Sequence, residues 1–157
     1  MCFQRKVISE KMSGNGASSS SLNMISGEDV VNNNLSALVV DDSPLLRLLH
    51  DIHLKKYGLK VQVAENGKVA VDLFHLGASF DLVLMDKEMP VMNGVEATKE
   101  LRAMGVTSMI VGVTSKDGPG EQQAFMEAGL DYCFEKPLTP EIISFLLEEL
   151  NKHNNKN

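Results

Sequence analysis

The chain repeats one pattern five times, a short apolar run of strand length followed by a segment with helical spacing, and this constrains its fold more than any other feature. Ser36 to Val40 is the first apolar run, and Ser43 caps the helix after it, with Pro44 at its first position and Gly58 just past its end. Leu59 to Glu65 alternates, with Leu59, Val61 and Val63 on one face and Lys60 and Gln62 on the other. A helix is expected from Lys68 to Leu76, stopped by Gly77. Leu82 to Met85 is a continuous apolar strand, and the loop DKEMPVMNG leads from it to a helix over Val95 to Met104. Met109 to Val113 is the fourth strand, and DGPG (117–120) turns into a short helix ending near Gly129. Tyr132 to Glu135 is the fifth strand, and Thr139 and Pro140 start a last helix running to about Leu150.

Strands that alternate with helices form a parallel sheet covered on both faces. The first, third and fourth strands are apolar throughout, as strands buried on both faces are. The second alternates and the fifth carries Glu135, which suits sheet edges. The implied fold class is α/β, a flavodoxin-like doubly wound (βα)5 sheet of order 2-1-3-4-5. Its core should contain Leu38, Val39, Leu84, Ile110, Val111, Ile52 and Phe74, with Met85, Met104, Met109 and Met126 as filler. On the first helix, Leu45, Leu48, Leu49 and Ile52 form the stripe expected to pack on the sheet. His50 and His53 are expected at the surface beside it.

Of the 157 residues, this domain takes 35–151. Residues 1–34 read as a disordered tail: Ser, Gly and Asn supply 15 of them, too little apolar surface to offset the entropy of ordering. Residues 152–157 are polar and expected to fray. The formal net charge is −6, which disfavours nucleic acid and anionic membranes as partners. No apolar run approaches a membrane span, and the N-terminus carries neither a signal core nor Gly at position 2. Two cysteines, Cys2 and Cys133, make no disulfide framework. A cytoplasmic or nuclear monomer is expected.

In a sheet of this order, sites form outside the C-terminal strand ends, at the switch point between strands 1 and 3. Asp41 and Asp42 follow strand 1 and Asp86 follows strand 3. Three acids in one cleft repel one another and call for a cation, and all-oxygen ligation favours Mg²⁺. Thr114 follows strand 4 and offers a hydroxyl. Lys136 follows strand 5 and offers a point charge for carboxylates or a phosphoryl group. Lys136 precedes Pro137, and an X-Pro bond can be cis, which would aim the lysine inward.

These pieces lie in VVDDS (39–43), LMDKEMPVMNG (84–94), VTS (113–115) and EAGLDYCFEKPLTPE (127–141). With them the sequence resembles the receiver domain of two-component response regulators over nearly all of 35–151. It is most similar to plant receivers, especially type-C response regulators and the receivers of hybrid histidine kinases. The resemblance implies that Asp86 is the phosphoacceptor. It implies that Asp42 and Asp86 bind Mg²⁺ with the backbone carbonyl of Glu88, that Asp41 helps through water, and that Thr114 and Lys136 contact the phosphoryl oxygens. The donor would be a phosphohistidine on a histidine phosphotransfer protein, loaded by a hybrid histidine kinase. That partner would meet the first helix, with Leu46 and His53 at the rim. The chain ends soon after its fifth helix, so output by partner binding or as a phosphate sink is expected, without DNA binding. The enzymatic element would be confined to phosphotransfer and hydrolysis of the acyl phosphate.

One departure stands out. The family usually has Tyr or Phe three residues before the lysine, and here that residue is Cys133, with Tyr132 and Phe134 on the opposite face. Glu88 and Lys116 are expected to flank the cleft mouth and to pair across it. Three other readings compete. A receiver-fold scaffold without phosphorylation conflicts with the intact set Asp41, Asp42, Asp86, Thr114 and Lys136. A haloacid-dehalogenase-type phosphatase needs an acid at position 43, which is Ser. A flavin site is disfavoured by the acidic DDSP loop.

Overall fold

A computed structural model describes residues 34–115 and 118–156. The strands are β1 (Ser36–Val40), β2 (Lys60–Ala64), β3 (Leu82–Asp86), β4 (Met109–Thr114) and β5 (Tyr132–Glu135). They alternate with α1 (Pro44–Lys56), α2 (Gly67–His75), α3 (Gly94–Ala103), α4 (Pro119–Glu127) and α5 (Pro140–Asn154). All pairings are parallel, and the sheet order is β2-β1-β3-β4-β5, the doubly wound order expected from the sequence. The last helix runs four residues beyond Leu150, to Asn154. Residues 1–33 of the expected tail, with Cys2, and Lys116, the expected partner of Glu88, lie outside the described residues.

Period-two alternation divides each central strand between two cores. Ala37, Val39, Leu82, Leu84, Val111 and Val113 face α1 and α5, where they meet Leu54, Ile143 and Leu146. Leu38, Val40, Val83, Met85 and Ile110 face α2, α3 and α4, where they meet Val71, Leu101 and Phe125. Burying each such large side chain stabilises by roughly 1.5–3 kcal/mol. Truncating Leu38 or Leu84 to Ala should cost about 2–5 kcal/mol. Among the described residues, no helix is long and apolar enough to cross a membrane.

Helix α1 departs from expectation. Its inward side carries His50 and Leu54, both buried, whereas Leu45, Leu48 and Ile52 are exposed at 72%, 54% and 44%. Ile52 is therefore not a core residue and His50 is not a surface one. Leucines and isoleucine lie on both sides of this helix, so apolar spacing alone does not choose the buried face. Val63 is also exposed, because β2 is an edge strand with a neighbour on one side only. Met104 lies at the C-cap of α3 and is exposed, whereas Met85, Met109 and Met126 pack in or against the cores. Phe74 is half-buried, its ring set edge-on to Phe80 at 5.5 Å.

Candidate functional site

The crossing direction reverses between β1 and β3, and the C-terminal ends of these strands open a cleft there. Asp41 is held at the end of β1 by its surroundings. Its N–H donates to the Ala64 carbonyl at 3.1 Å, and its carbonyl accepts from Arg47 Nη1 at 2.7 Å. One carboxylate oxygen accepts the Ser43 N–H at 2.9 Å, and Ser43 in turn caps α1 by accepting from the Leu46 N–H. Asp42, the next residue, is exposed. Asp86 is the last residue of β3 and is buried. Carboxylate oxygens of Asp41, Asp42 and Asp86 all lie within 4.8 Å of one another, a set that could hold a metal ion.

Lys136 reaches this group from the loop after β5. Its Nζ stands 2.8 Å from Asp86 Oδ1 and 3.2 Å from Asp41 Oδ2. Its backbone N–H donates to the Thr114 carbonyl at 2.8 Å, and the Lys136–Pro137 bond is cis. Thr114 ends β4, wholly buried. Two buried oxygens here have no hydrogen-bond partner, Asp86 Oδ2 and Thr114 Oγ1. Buried polar atoms are nearly always paired, and leaving one unpaired costs about 1–3 kcal/mol. Two such atoms in one acidic cleft mark a place built for a ligand that supplies the missing partners.

Electrostatics agree. Burial pushes the Asp86 carboxyl up to about 6. The charges of Asp41 and Asp42 add to this, and Lys136 only partly opposes it. Burial also works against the Lys136 ammonium, but its hydrogen bonds and charge attraction to Asp86 and Asp41 outweigh it, so the lysine stays charged. One cation against three carboxylates leaves the cleft short of positive charge, which a divalent ion would supply.

The loop after Asp86 is tightly shaped. Val91 has φ of 70°, and the Met92 N–H bonds to the Pro90 carbonyl at 2.8 Å, a γ-turn of the strained kind. The turn returns the chain so that the Gly94 N–H meets the Lys87 carbonyl at 2.8 Å. A Cβ on Gly94 would overlap the Asp86 carbonyl oxygen, so only glycine lets α3 start against the end of β3. Asn93 and Glu96 close a capping box there. Glu88 is exposed, and Lys87 pairs with Glu121 of α4 at 3.7 Å.

The structure thus brings Asp41, Asp42, Asp86, Thr114 and Lys136 to one cleft. Sequence reasoning missed Arg47, which clamps the Asp41 carbonyl, and the strain at Val91, a β-branched residue where glycine or asparagine would be expected. It also missed buried His50. Cys133 is buried on the opposite face from Tyr132 and Phe134, as alternation requires. It stands beside Gly112 in register, and a Cβ on Gly112 would come within 2.7 Å of the Phe125 ring. The aromatic ring beside Gly112 therefore comes from Phe125 of α4, and Cys133 of β5 supplies none on that face.

Comparison with known proteins agrees with this geometry. Residues 37–148 match the response regulator receiver domain family. Two-component response regulator 24 of Arabidopsis thaliana is 52% identical over 120 residues, 76% of this chain and 84% of the relative. Two-component response regulator ARR22 of the same plant is 56% identical over 118 residues, 74% of this chain and 83% of the relative. A CheY-like receiver domain protein from Methanospirillum hungatei superposes with a TM-score of 0.73 at 21% identity, covering 80% of this chain and all of that one, and shows the shared fold. The acid cluster at the switch point, the lysine bound to it and the match over most of the chain lead to one conclusion: the protein belongs to the response regulator receiver domain family.

Proposed function

We propose that the protein accepts a phosphoryl group onto Asp86 from the phosphohistidine of a histidine phosphotransfer protein, itself loaded by a hybrid histidine kinase, and then loses or passes on that group as a phosphate sink or relay. One observation carries this reading. A buried aspartate keeps one oxygen on Lys136 and the other without a partner, among two further acids and a buried hydroxyl that also lacks one.

The chemistry follows from the residues. An oxygen of the Asp86 carboxylate attacks phosphorus, the bond from phosphorus to the donor imidazole nitrogen breaks, and that nitrogen keeps the electron pair. Such a transfer asks for alignment and charge neutralisation more than for bond-making groups. Lys136 meets one phosphoryl oxygen with its charge, and the idle Thr114 hydroxyl donates to another. Asp41, Asp42, Asp86 and the Glu88 carbonyl would hold Mg²⁺, which supplies positive charge beside the phosphoryl oxygens. Water attack on the acyl phosphate then releases inorganic phosphate.

The donor has a surface to meet. Leu45, Leu48 and Ile52 form an exposed apolar strip along α1, which begins three residues after Asp41. A phosphotransfer helix laid on this strip would set its histidine over the cleft.

The test mixes purified protein with a labelled, phosphorylated histidine phosphotransfer protein and Mg²⁺, beside an Asp86→Asn variant. Label should leave the donor only where Asp86 is intact, and the ratio of protein-bound label to free phosphate separates relay from sink. Label that stays on a donor the protein nevertheless binds would leave a binding scaffold instead.

A further inference from the structure

Of the four histidines, only His50 is buried, with 1% of its surface exposed. It faces inward from the middle of α1, a position an apolar side chain would fill without losing hydration. Its Nε2 accepts the N–H of Leu138 at 3.4 Å, a long bond between residues 88 apart in sequence. Leu138 is itself buried, so without the imidazole its N–H would lose that acceptor inside the protein.

The partner's place in the chain gives this bond its meaning. Leu138 lies two residues after Lys136. The segment 136–138 has two backbone N–H groups, because Pro137 has none. The Lys136 N–H is held by the Thr114 carbonyl of β4 and the Leu138 N–H by His50 of α1. These bonds flank the proline and tie the loop to elements that also carry the site, since α1 starts directly after Asp41 and Asp42. The lysine Nζ has to reach Asp86 and Asp41 at once, at 2.8 and 3.2 Å. A drift of about 1 Å in its loop would break one of the two contacts.

We propose that His50 is a positioning residue for Lys136: its imidazole, accepting through Nε2, anchors the Leu138 amide and so sets the ammonium between Asp41 and Asp86, where the phosphoryl group arrives. Accepting at Nε2 requires the neutral ring. Burial, the largest influence, holds the pKa of His50 below its ordinary 6.5, and the charge of Asp41 opposes this only in part. The role in phosphoryl transfer rests on the function proposed above. The anchoring of Lys136 does not.

The experiment compares the full chain with His50→Leu, which keeps the volume and loses the acceptor, and His50→Gln, whose amide oxygen reaches the place of Nε2. Asp86 is labelled from a small phosphodonor, phosphoramidate, at saturating Mg²⁺, and Mg²⁺ affinity is titrated separately. His50→Leu should slow labelling by at least about tenfold and leave Mg²⁺ affinity within about twofold, since Asp41, Asp42 and Asp86 do not depend on the Leu138 amide. His50→Gln should recover the rate to within about threefold. Labelling of His50→Leu at the wild-type rate would overturn the proposal, as would a folded His50→Gln no better than His50→Leu. Nitrogen NMR of the imidazole is read on the wild type, and Leu138 amide exchange and the Lys136 side-chain resonance on all three proteins, where the last two observables decide the comparison. An unprotonated Nε2, with a Leu138 amide and a Lys136 ammonium displaced in His50→Leu alone, supports the anchor, and three identical proteins overturn it. If the wild type takes no label from phosphoramidate or from a phosphorylated phosphotransfer protein, the phosphorelay reading falls, and these resonances still judge the anchor.

Discussion

The two ends of one sheet use aspartate in opposite ways. At the N-terminal end, Asp81 and Asp131 are part of the fold's stitching. Asp81 Oδ2 accepts the Ser36 N–H at 2.9 Å and its hydroxyl at 3.3 Å, which ties the start of β1 to the start of β3. Asp131 Oδ2 accepts the Ile110 N–H at 2.9 Å and Arg102 Nη2 at 3.0 Å. Arg102 also donates to the carbonyls of Gly129, Val106 and Ser108, so one guanidinium joins the loops that lead into β4 and β5. At the C-terminal end, Asp41, Asp42 and Asp86 crowd together around Lys136, and Asp86 Oδ2 and Thr114 Oγ1 are left without partners. Where every bond is made within the chain, the group serves stability. Where bonds are left open inside the protein, the group is available to a ligand.

The sharpest way to break this contrast is Asp86→Asn. The variant should take no label from a phosphorylated donor, a complete loss, and yet be the more stable protein in metal-free buffer. The sign follows from linkage. Asp86 titrates at about 6 in the fold against an ordinary 3.8, so between these values the native state holds a proton that the unfolded chain has released. Wild-type stability therefore falls as pH rises through this window and is level above it. Asparagine removes the effect. The variant's advantage should be near zero below about pH 4 and reach about 1–3 kcal/mol above pH 6. Chemical denaturation in EDTA at four pH values checks it. A less stable variant at pH 7.5 would mean that Asp86 belongs with Asp81 and Asp131 as a stitching residue.

Arg102→Leu is the converse. Losing four charge-assisted hydrogen bonds should lower stability by about 2–4 kcal/mol. The fraction that remains folded should still label Asp86 at close to the wild-type rate. Denaturant midpoints and labelling per folded molecule measure the two effects separately. A loss of labelling without a loss of stability would show that the ends are coupled through β4 and β5.

Beside the cleft, Leu48→Glu adds charge to the exposed strip of α1 and touches neither end of the sheet. Transfer from a phosphotransfer protein should slow by about tenfold, because an apolar anchor contributes of order 1–2 kcal/mol. Labelling by phosphoramidate and the melting temperature should stay as they were. Equal losses with both donors would place Leu48 in the packing of α1 and remove it from docking.

How much of this was legible in the sequence depended on how far the deciding contact lies from the residue. Central strands read clearly because burial on both faces makes them apolar throughout. Asp41, Asp42, Asp86, Thr114 and Lys136 read clearly because each sits at the C-terminal end of a strand or within two residues after it, and strand ends gather in this topology. The buried face of α1 did not, because apolar residues lie on both sides of it and the choice is made by the sheet and α5. His50 was placed at the surface because the N–H that holds it lies 88 residues away. Val91 gave no signal, since its backbone is bent by the contacts of Met92 and Gly94 and not by its own preference. The stitching at the N-terminal end was missed for a related reason: an aspartate before a strand looks local, and its partner is on another strand.

The smallest effect tests the contrast at its least dramatic point. Ser36→Ala removes one of two donors to Asp81 Oδ2, the longer and partly exposed hydroxyl contact, and keeps the backbone N–H. Partial exposure lets water replace the hydroxyl, so the loss should be only about 0.5–1 kcal/mol. Asp81→Ala removes the acceptor shared by both donors and should cost more than Ser36→Ala, because it leaves the Ser36 N–H without its partner. Neither change should alter Mg²⁺ affinity or labelling of Asp86. If the two substitutions cost the same, the hydroxyl carries the whole contact and the backbone N–H finds water as readily as Asp81. Stitching would then be an exposed hydrogen bond, and the division between the two ends would rest on Arg102 and Asp131 alone.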